Sequence, residues 1–171
     1  MDLQKYFQHS PFFVGSTTIS DSAWERLQDK IDRLPPALAN LLTDFKTSDF
    51  VERLTQKHIQ LSVQGPDVAR LIRDTVIGDI FIGDMPQEIA NRLGVDQTLA
   101  REVANQIISQ LFTSVLEDIR KVQNIKFSGR LPAKPFPSTA PQVRPVQPPI
   151  SHYEGEGLPE SGGNIIDLRN K

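Results

Sequence analysis

The residues able to do chemistry are few. Histidine occurs as His9, His58 and His152 in a chain of 171 residues. None has a second histidine at i+4, the spacing that sets two imidazoles on one helix face to hold a metal. There is no cysteine, which removes disulfides, thiolate nucleophiles and zinc–thiolate sites together. No G-x-S-x-G occurs, and without cysteine a Cys–His pair cannot form. Asp79 and Asp84, either side of Gly83, are the carboxylates to consider for acid–base work, but Asp84 reads as a helix cap. Gly78 and Gly83 do not build a phosphate loop, since no Lys-Ser/Thr follows them. His58 reads as a core-edge residue beside Leu54. No enzyme, no cofactor and no metal is expected.

The elements that would position any site follow from an internal echo. Ile82 to Gly94 reads I-G-D-M-P-Q-E-I-A-N-R-L-G, and Ile31 to Thr43 reads I-D-R-L-P-P-A-L-A-N-L-L-T. Laid together without a gap, Ile31, Pro35, Ala39, Asn40 and Leu42 meet Ile82, Pro86, Ala90, Asn91 and Leu93. Leu34 meets Met85 and Leu38 meets Ile89. With two extra residues in the first copy, Phe50, Val51, Leu54 and His58 then meet Leu99, Ala100, Val103 and Ile107. The expected fold is all-α: two pseudo-repeated three-helix units in one helical bundle. The units span about 20–62 and 66–124, after an N-terminal arm at 1–19 and before a disordered tail at 125–171.

Local signals place the helices. Ser22-x-x-Glu25, Asp49-x-x-Glu52 and Asp84-x-x-Gln87 have capping-box spacing, in which each partner satisfies a free backbone N–H of the other. Trp24, Leu27, Ile31 and Leu34 recur at helical spacing. So do Leu38, Leu41, Leu42 and Phe45, and then Val68, Leu71, Ile72, Thr75, Val76 and Ile80. Pro35 and Pro36 end one helix and start the next, as proline is tolerated in a first turn. Gly78 is read as permitting a close helix crossing and Gly83 as ending a helix. Gly94 is placed for a left-handed cap, and Asp96 for the N-cap of the last helix. Leu99, Ala100, Val103, Ile107, Leu111, Val115 and Ile119 carry one stripe, with Ser114-x-x-Glu117 marking a restart after Phe112.

Charge excludes some partners. The net charge is −2 and the pI about 5.9, so no global field draws in nucleic acid or anionic lipid. Residues 1–124 hold 13 Lys+Arg against 17 Asp+Glu, or −4, and residues 125–171 hold 6 against 4, or +2. Asp2, Lys5 and His9 interrupt any apolar leader. The uncharged run Val103 to Leu116 is too short to span a bilayer. A cytoplasmic protein, off the membrane, is expected.

Eight of the 13 prolines lie after Asn124, a composition that cannot form a packed core. Near its end, Gly162-Gly163-Asn164 precedes the apolar cluster Ile165, Ile166, Asp167, Leu168 and Arg169. That cluster is a candidate docking peptide, for a partner or for the helical body. Pro145-Val146-Gln147-Pro148 beside Arg144 has the spacing of a polyproline II ligand. At the other terminus, Pro11-Phe12-Phe13-Val14-Gly15 either packs on the body or forms an exposed partner-binding patch.

Two resemblances rest on these residues. Gln87 to Gln106 resembles a helix-turn-helix segment: Ala90 and Gly94 stand at the small-residue and turn-glycine positions, and Asp96 at the cap of a recognition helix. The resemblance implies DNA contact by Arg92, Gln97, Thr98 and Arg101. Ala100 and Leu99 depart from the pattern, and Glu102 balances Arg101. Residues 66–123 hold 6 Lys+Arg against 9 Asp+Glu, the wrong sign for phosphate neutralisation. The corner L/M-P-x-x-L/I-A-N-x-L, the long last helix and the Pro-rich tail look like uncharacterised helical proteins of reduced-genome bacteria, which implies a fold and no activity. The expected function is therefore a non-catalytic protein–protein interaction or adaptor role. A protein partner or self-association is expected and nucleic acid is not. The alternative is a small helix-turn-helix transcriptional regulator using residues 86–112.

Overall fold

The computed structural model describes residues 3–15 and 20–130. Contacts divide the chain into two units, Met1–Lys134 and Pro135–Lys171, and the described residues belong to the first. The cluster at 165–169, the PxxP segment at 145–148 and His152 lie outside them.

The described residues are all-helical. They form α1 (Leu3–His9), α2 (Asp21–Asp32), α3 (Pro36–Thr43), α4 (Phe45–Lys57), α5 (Gly65–Val76), α6 (Met85–Leu93), α7 (Gln97–Gln106) and α8 (Leu116–Lys126), joined by short 3-10 and π turns. The core is one continuous cluster running from Val14 to Ile119. α5 supplies its centre: Val68, Leu71, Ile72, Thr75 and Val76 are all buried, the stripe its spacing predicts. α4 adds Phe50, Val51 and Leu54, and α7 adds Ala100 and Val103.

Both proline corners open a short helix. Pro36 stands in the first turn of α3 and Pro86 in that of α6. Leu38 and Ile89 are buried, as are Leu42 and Leu93, while Asn40 and Asn91 face out. Asp96 caps α7 as expected, its carboxylate accepting from the N–H of Thr98 at 2.8 Å and of Leu99 at 3.0 Å. Gly94 has φ +64°, the left-handed position that favours glycine.

Several helix starts differ from expectation. α2 begins at Asp21 behind Ser20, without a side-chain cap bond, so Ser22–Glu25 is not a capping box. α4 begins a turn earlier than Asp49, capped by Asp44, whose Oδ1 accepts from the Lys46 N–H at 2.9 Å. Asp49 then lies inside the helix and pairs with Arg53. Phe45, expected in the core, becomes the first residue of α4 and stays 48% exposed. Asp84 ends a 3-10 turn, caps nothing with its side chain, and pairs with Arg130 at 3.1 Å.

Gly78, not Gly83, terminates α5. Its φ is +75°, its N–H reaches the Thr75 carbonyl, and the Asp79 N–H reaches the Asp74 carbonyl at 2.7 Å. That pair of bonds is the Schellman closure of a helix end. Gly78 also keeps its role in close approach, since a Cβ there would stand 3.2 Å from Val122 Cγ1.

The last stripe is interrupted where Ser114 and Glu117 suggested. A π segment, Ile107–Phe112, and a 3-10 turn, Thr113–Val115, separate α7 from α8. A π turn adds one residue per turn and a 3-10 turn removes about half of one. Phe112 therefore takes the core position expected of Leu111 and is fully buried. The tighter turn restores the register, so Val115 and Ile119 face inward as expected. α8 continues to Lys126 and carries the buried Gln123.

Candidate interaction surface

One corner of the body gathers aromatic residues from segments distant in sequence. α1 contributes Tyr6 and Phe7, the turn at 11–15 contributes Phe12 and Phe13, α2 contributes Trp24, and α4 contributes Phe45. Tyr6 stacks on Phe45 with ring centroids 5.5 Å apart and planes 15° apart. Phe13 meets the edge of Phe7 at 5.0 Å and of Tyr6 at 5.8 Å. Phe12 meets Phe13 at 4.8 Å and Trp24 at 5.5 Å. Such edge-to-face and offset geometries are the favourable ones for aromatic pairs.

Polar bonds fix this corner. Tyr6 donates its hydroxyl to the Thr43 carbonyl at 2.8 Å, satisfying a group that the end of α3 leaves free. The Phe12 N–H reaches the Leu42 carbonyl at 3.3 Å, and Arg73 donates to the Val14 carbonyl at 3.0 Å. Lys5 pairs with Glu52 at 2.9 Å, and its hydrogen bond holds the Glu52 carboxyl below its usual range. His9 lies over the start of α5: a Cβ on Gly65 would stand 2.4 Å from His9 Nε2.

α1 is nonetheless hardly covered. None of its seven residues is buried. Leu3 is 74% exposed, and Phe7, like Phe45, 48%. A helix this short is unstable alone in water, so it is held by its bonds to α3 and α4 and by the seat of His9 on α5, while Leu3 and Phe7 face out. The turn at 11–15 divides: Pro11 and Val14 are buried, Phe12 and Phe13 half-buried. Tyr6 links Phe7 to Phe45, its ring 5.7 Å from the one and 5.5 Å from the other, a long-range pairing that no spacing in the sequence signals.

The residues of the helix-turn-helix resemblance lie at the α6–α7 corner. Arg92 donates to Asp74 at 2.8 Å and to Glu88 at 3.0 Å. Burial works against its charge, but those two carboxylates outweigh it and raise its pKa. Gln97 donates to the Gln87 side chain at 3.2 Å. The Thr98 N–H is spent on the Asp96 cap, and Arg101 is exposed. Leu99 is half-buried against the core and Ala100 fully buried.

His58 stands at the core edge with its side chain 12% exposed, 3.8 Å from a Glu102 oxygen that Lys57 also approaches at 3.3 Å. Asp79 takes Lys30 and Lys126, and Asp84 takes Arg130, so each of these carboxylates is committed to its own cations. Among the described residues, no group of three or more His, Asp or Glu side chains is placed to hold a metal. No helix among them is long and apolar enough to cross a membrane.

Fold and surface together define a small all-α body with an exposed aromatic corner. No protein-family model, no curated protein sequence and no solved structure matches the chain.

Proposed function

We propose that this is a non-catalytic interaction or adaptor protein of the cytoplasm, and that the aromatic corner is its partner-binding surface. One observation carries the reading: α1 buries none of its residues, yet its Tyr6 is stacked on Phe45 and in contact with Phe7, and both of those phenylalanines stay half-exposed. Aromatic side chains that are rigidly held and solvent-facing are the commonest anchors of protein–protein interfaces. Phe7 and Phe45 are linked through Tyr6 rather than scattered singly over the surface. Tyr6 and Phe13 keep the rings in fixed positions, which lowers the ordering cost of binding.

The scaffold beneath is, in this reading, one helical unit used twice. Burial supports it: Ile31 and Ile82, Leu38 and Ile89, Leu42 and Leu93 are buried in pairs, as are Val51 and Ala100, Leu54 and Val103. The apolar cluster Ile165, Ile166, Asp167, Leu168 and Arg169 is a second partner-facing element of the same adaptor.

The test is co-purification with tagged full-length chain, wild type against Phe7→Asp with Phe45→Asp. The reading expects a discrete protein, a second copy of the chain included, that is retained by wild type and lost by the variant while the melting temperature is kept. Retention on duplex DNA that needs Arg92 and Arg101 and ignores Phe7 would contradict it and support the helix-turn-helix regulator.

A further inference from the structure

Away from the aromatic corner, α2 and α8 enclose a groove of about 390 Å³. Its floor is apolar. Ile77 is buried, Leu34 and Val122 are half-buried, and Ile125 stands 85% exposed at the edge. Ile125 is a poor residue to leave in water, since removing its apolar surface from water is favourable. Gly78, just past α5, lets the floor approach α8, its missing Cβ leaving room for Val122.

The rim has one sign. Lys30 lines it from α2, Arg33 from the cap that follows α2, and Lys126 from α8. Asp79 binds Lys30 at 2.8 Å and Lys126 at 2.5 Å, so one carboxylate holds two ammonium groups in place and neutralises only one charge. Arg33 makes no ion pair among the described residues. The groove thus carries a local excess of two positive charges, three cations against Asp79, on a body whose first 124 residues sum to −4. Fixed cations beside an apolar floor complement carboxylates that sit next to apolar side chains. Three cations are fewer than the four to eight that mark a lipid-binding basic cluster. Nucleic acid would leave Ile125 and Val122 without an apolar partner.

We propose that this groove binds an acidic, apolar peptide segment of a partner protein. Its Leu-, Ile- or Phe-type side chains cover Val122, Ile125 and Leu34, and its Asp or Glu side chains meet Arg33, Lys30 and Lys126. The site is separate from the aromatic corner and does not depend on it.

The experiment is selection of phage-displayed random 12-residue peptides on immobilised full-length protein, followed by affinity measurement on the enriched peptides. The expected peptides carry Asp or Glu beside large apolar residues. Their affinity falls at least about tenfold on Ile125→Ser and on Arg33→Glu, as loss of one good contact does, and is unchanged by Phe7→Asp. The double reversal Arg33→Glu with Lys126→Glu is expected to enrich Lys- and Arg-bearing peptides instead. Ile125 and Arg33 are exposed, and unchanged melting curves confirm that the variants are folded. Enriched peptides without an acidic bias, or peptides indifferent to both substitutions, would overturn the proposal. So would sedimentation with phosphatidylserine vesicles that requires the same side chains. Peptides lost on Phe7→Asp alone would leave the aromatic corner standing and this groove without a role.

Discussion

The side-chain oxygen of Gln123 accepts the backbone N–H of Ile82 at 3.0 Å. Its amide nitrogen donates to the carbonyls of Thr75 and Ile80, at 3.0 and 2.9 Å. Gln123 is fully buried, so one side chain on α8 satisfies three backbone groups where the chain leaves α5 and approaches α6. These are groups that water would otherwise need to reach. Gln123→Leu leaves the Ile82 N–H and the Ile80 carbonyl without this partner in the core, while the Thr75 carbonyl keeps its bond from the Gly78 N–H. Each such group costs about 1–3 kcal/mol, so a destabilisation of about 2 kcal/mol or more is expected by urea unfolding. A loss below about 1 kcal/mol would show that water or a loop shift replaces the amide.

Phe7 and Phe45 should behave differently from core residues. Each is half-exposed, so Phe7→Ser is expected to cost under about 1 kcal/mol, within the range of surface changes. Leu38→Ala, in the core, is expected to cost about 2–5 kcal/mol. Equal losses in chemical denaturation would place Phe7 in the core and remove the open aromatic surface.

Gly65 and His9 should be coupled. Alanine at Gly65 puts a Cβ within 2.4 Å of the imidazole, so Gly65→Ala must displace the His9 ring from its seat over α5. The damage should shrink when His9 is already alanine. A double-mutant cycle by denaturation is expected to show a coupling of about 0.5–3 kcal/mol, the range for residues in contact. Additive effects would mean that α1 is not seated on α5.

Asp79 gives a pH dependence of known sign. Burial raises its pKa, but the hydrogen bonds from Lys126 and Lys30 outweigh burial and leave it below 3.8. A carboxylate depressed on folding contributes stability above its unfolded pKa and loses it as pH falls through the folded value. Glu52 acts in the same sense from 4.5 downward. Stability measured from pH 6 to pH 2 is expected to fall below about pH 4.5. Asp79→Asn is expected to flatten the lower part of that fall. An unchanged slope would show that the two lysines leave Asp79 in solution.

The parts of the fold that were legible in the sequence rest on local rules. Gly94 and Asp96 set the turn between α6 and α7 because a left-handed glycine and a carboxylate cap act within a few residues. Leu38 and Ile89 could be placed in the core because each lies on the apolar side of a short helix opened by proline. Asp49 misled because Asp44 is an equally good cap, and which one closes α4 depends on where α3 releases the chain at Thr43. That one-turn difference also moved Phe45 from core to surface. Gly78 and Gly83 are alike as letters. What sets Gly78 apart is its φ of +75° at the end of α5; a Cβ at either glycine would meet a neighbour, Val122 on a distant helix for Gly78 and the Phe81 ring for Gly83. Ser114 and Glu117 marked a restart after Phe112, but the extra residue of the π segment before it was not legible, because Ile107 and Leu111 keep ordinary α-helical spacing. The aromatic corner and the basic groove are assembled from α1 with α4, and from α2 with α8, and no local spacing encodes such pairings.

Site-specific photo-crosslinking tests the partner-binding corner most directly. Benzoylphenylalanine is placed at Phe7, at Phe45 and, for comparison, at Ile59, which is 89% exposed but stands apart from the aromatic residues. Positions 7 and 45 are expected to yield the same discrete adduct in cells, with little at position 59. Adducts at all three positions alike, or none at Phe7 and Phe45, would contradict a partner-binding role for this corner.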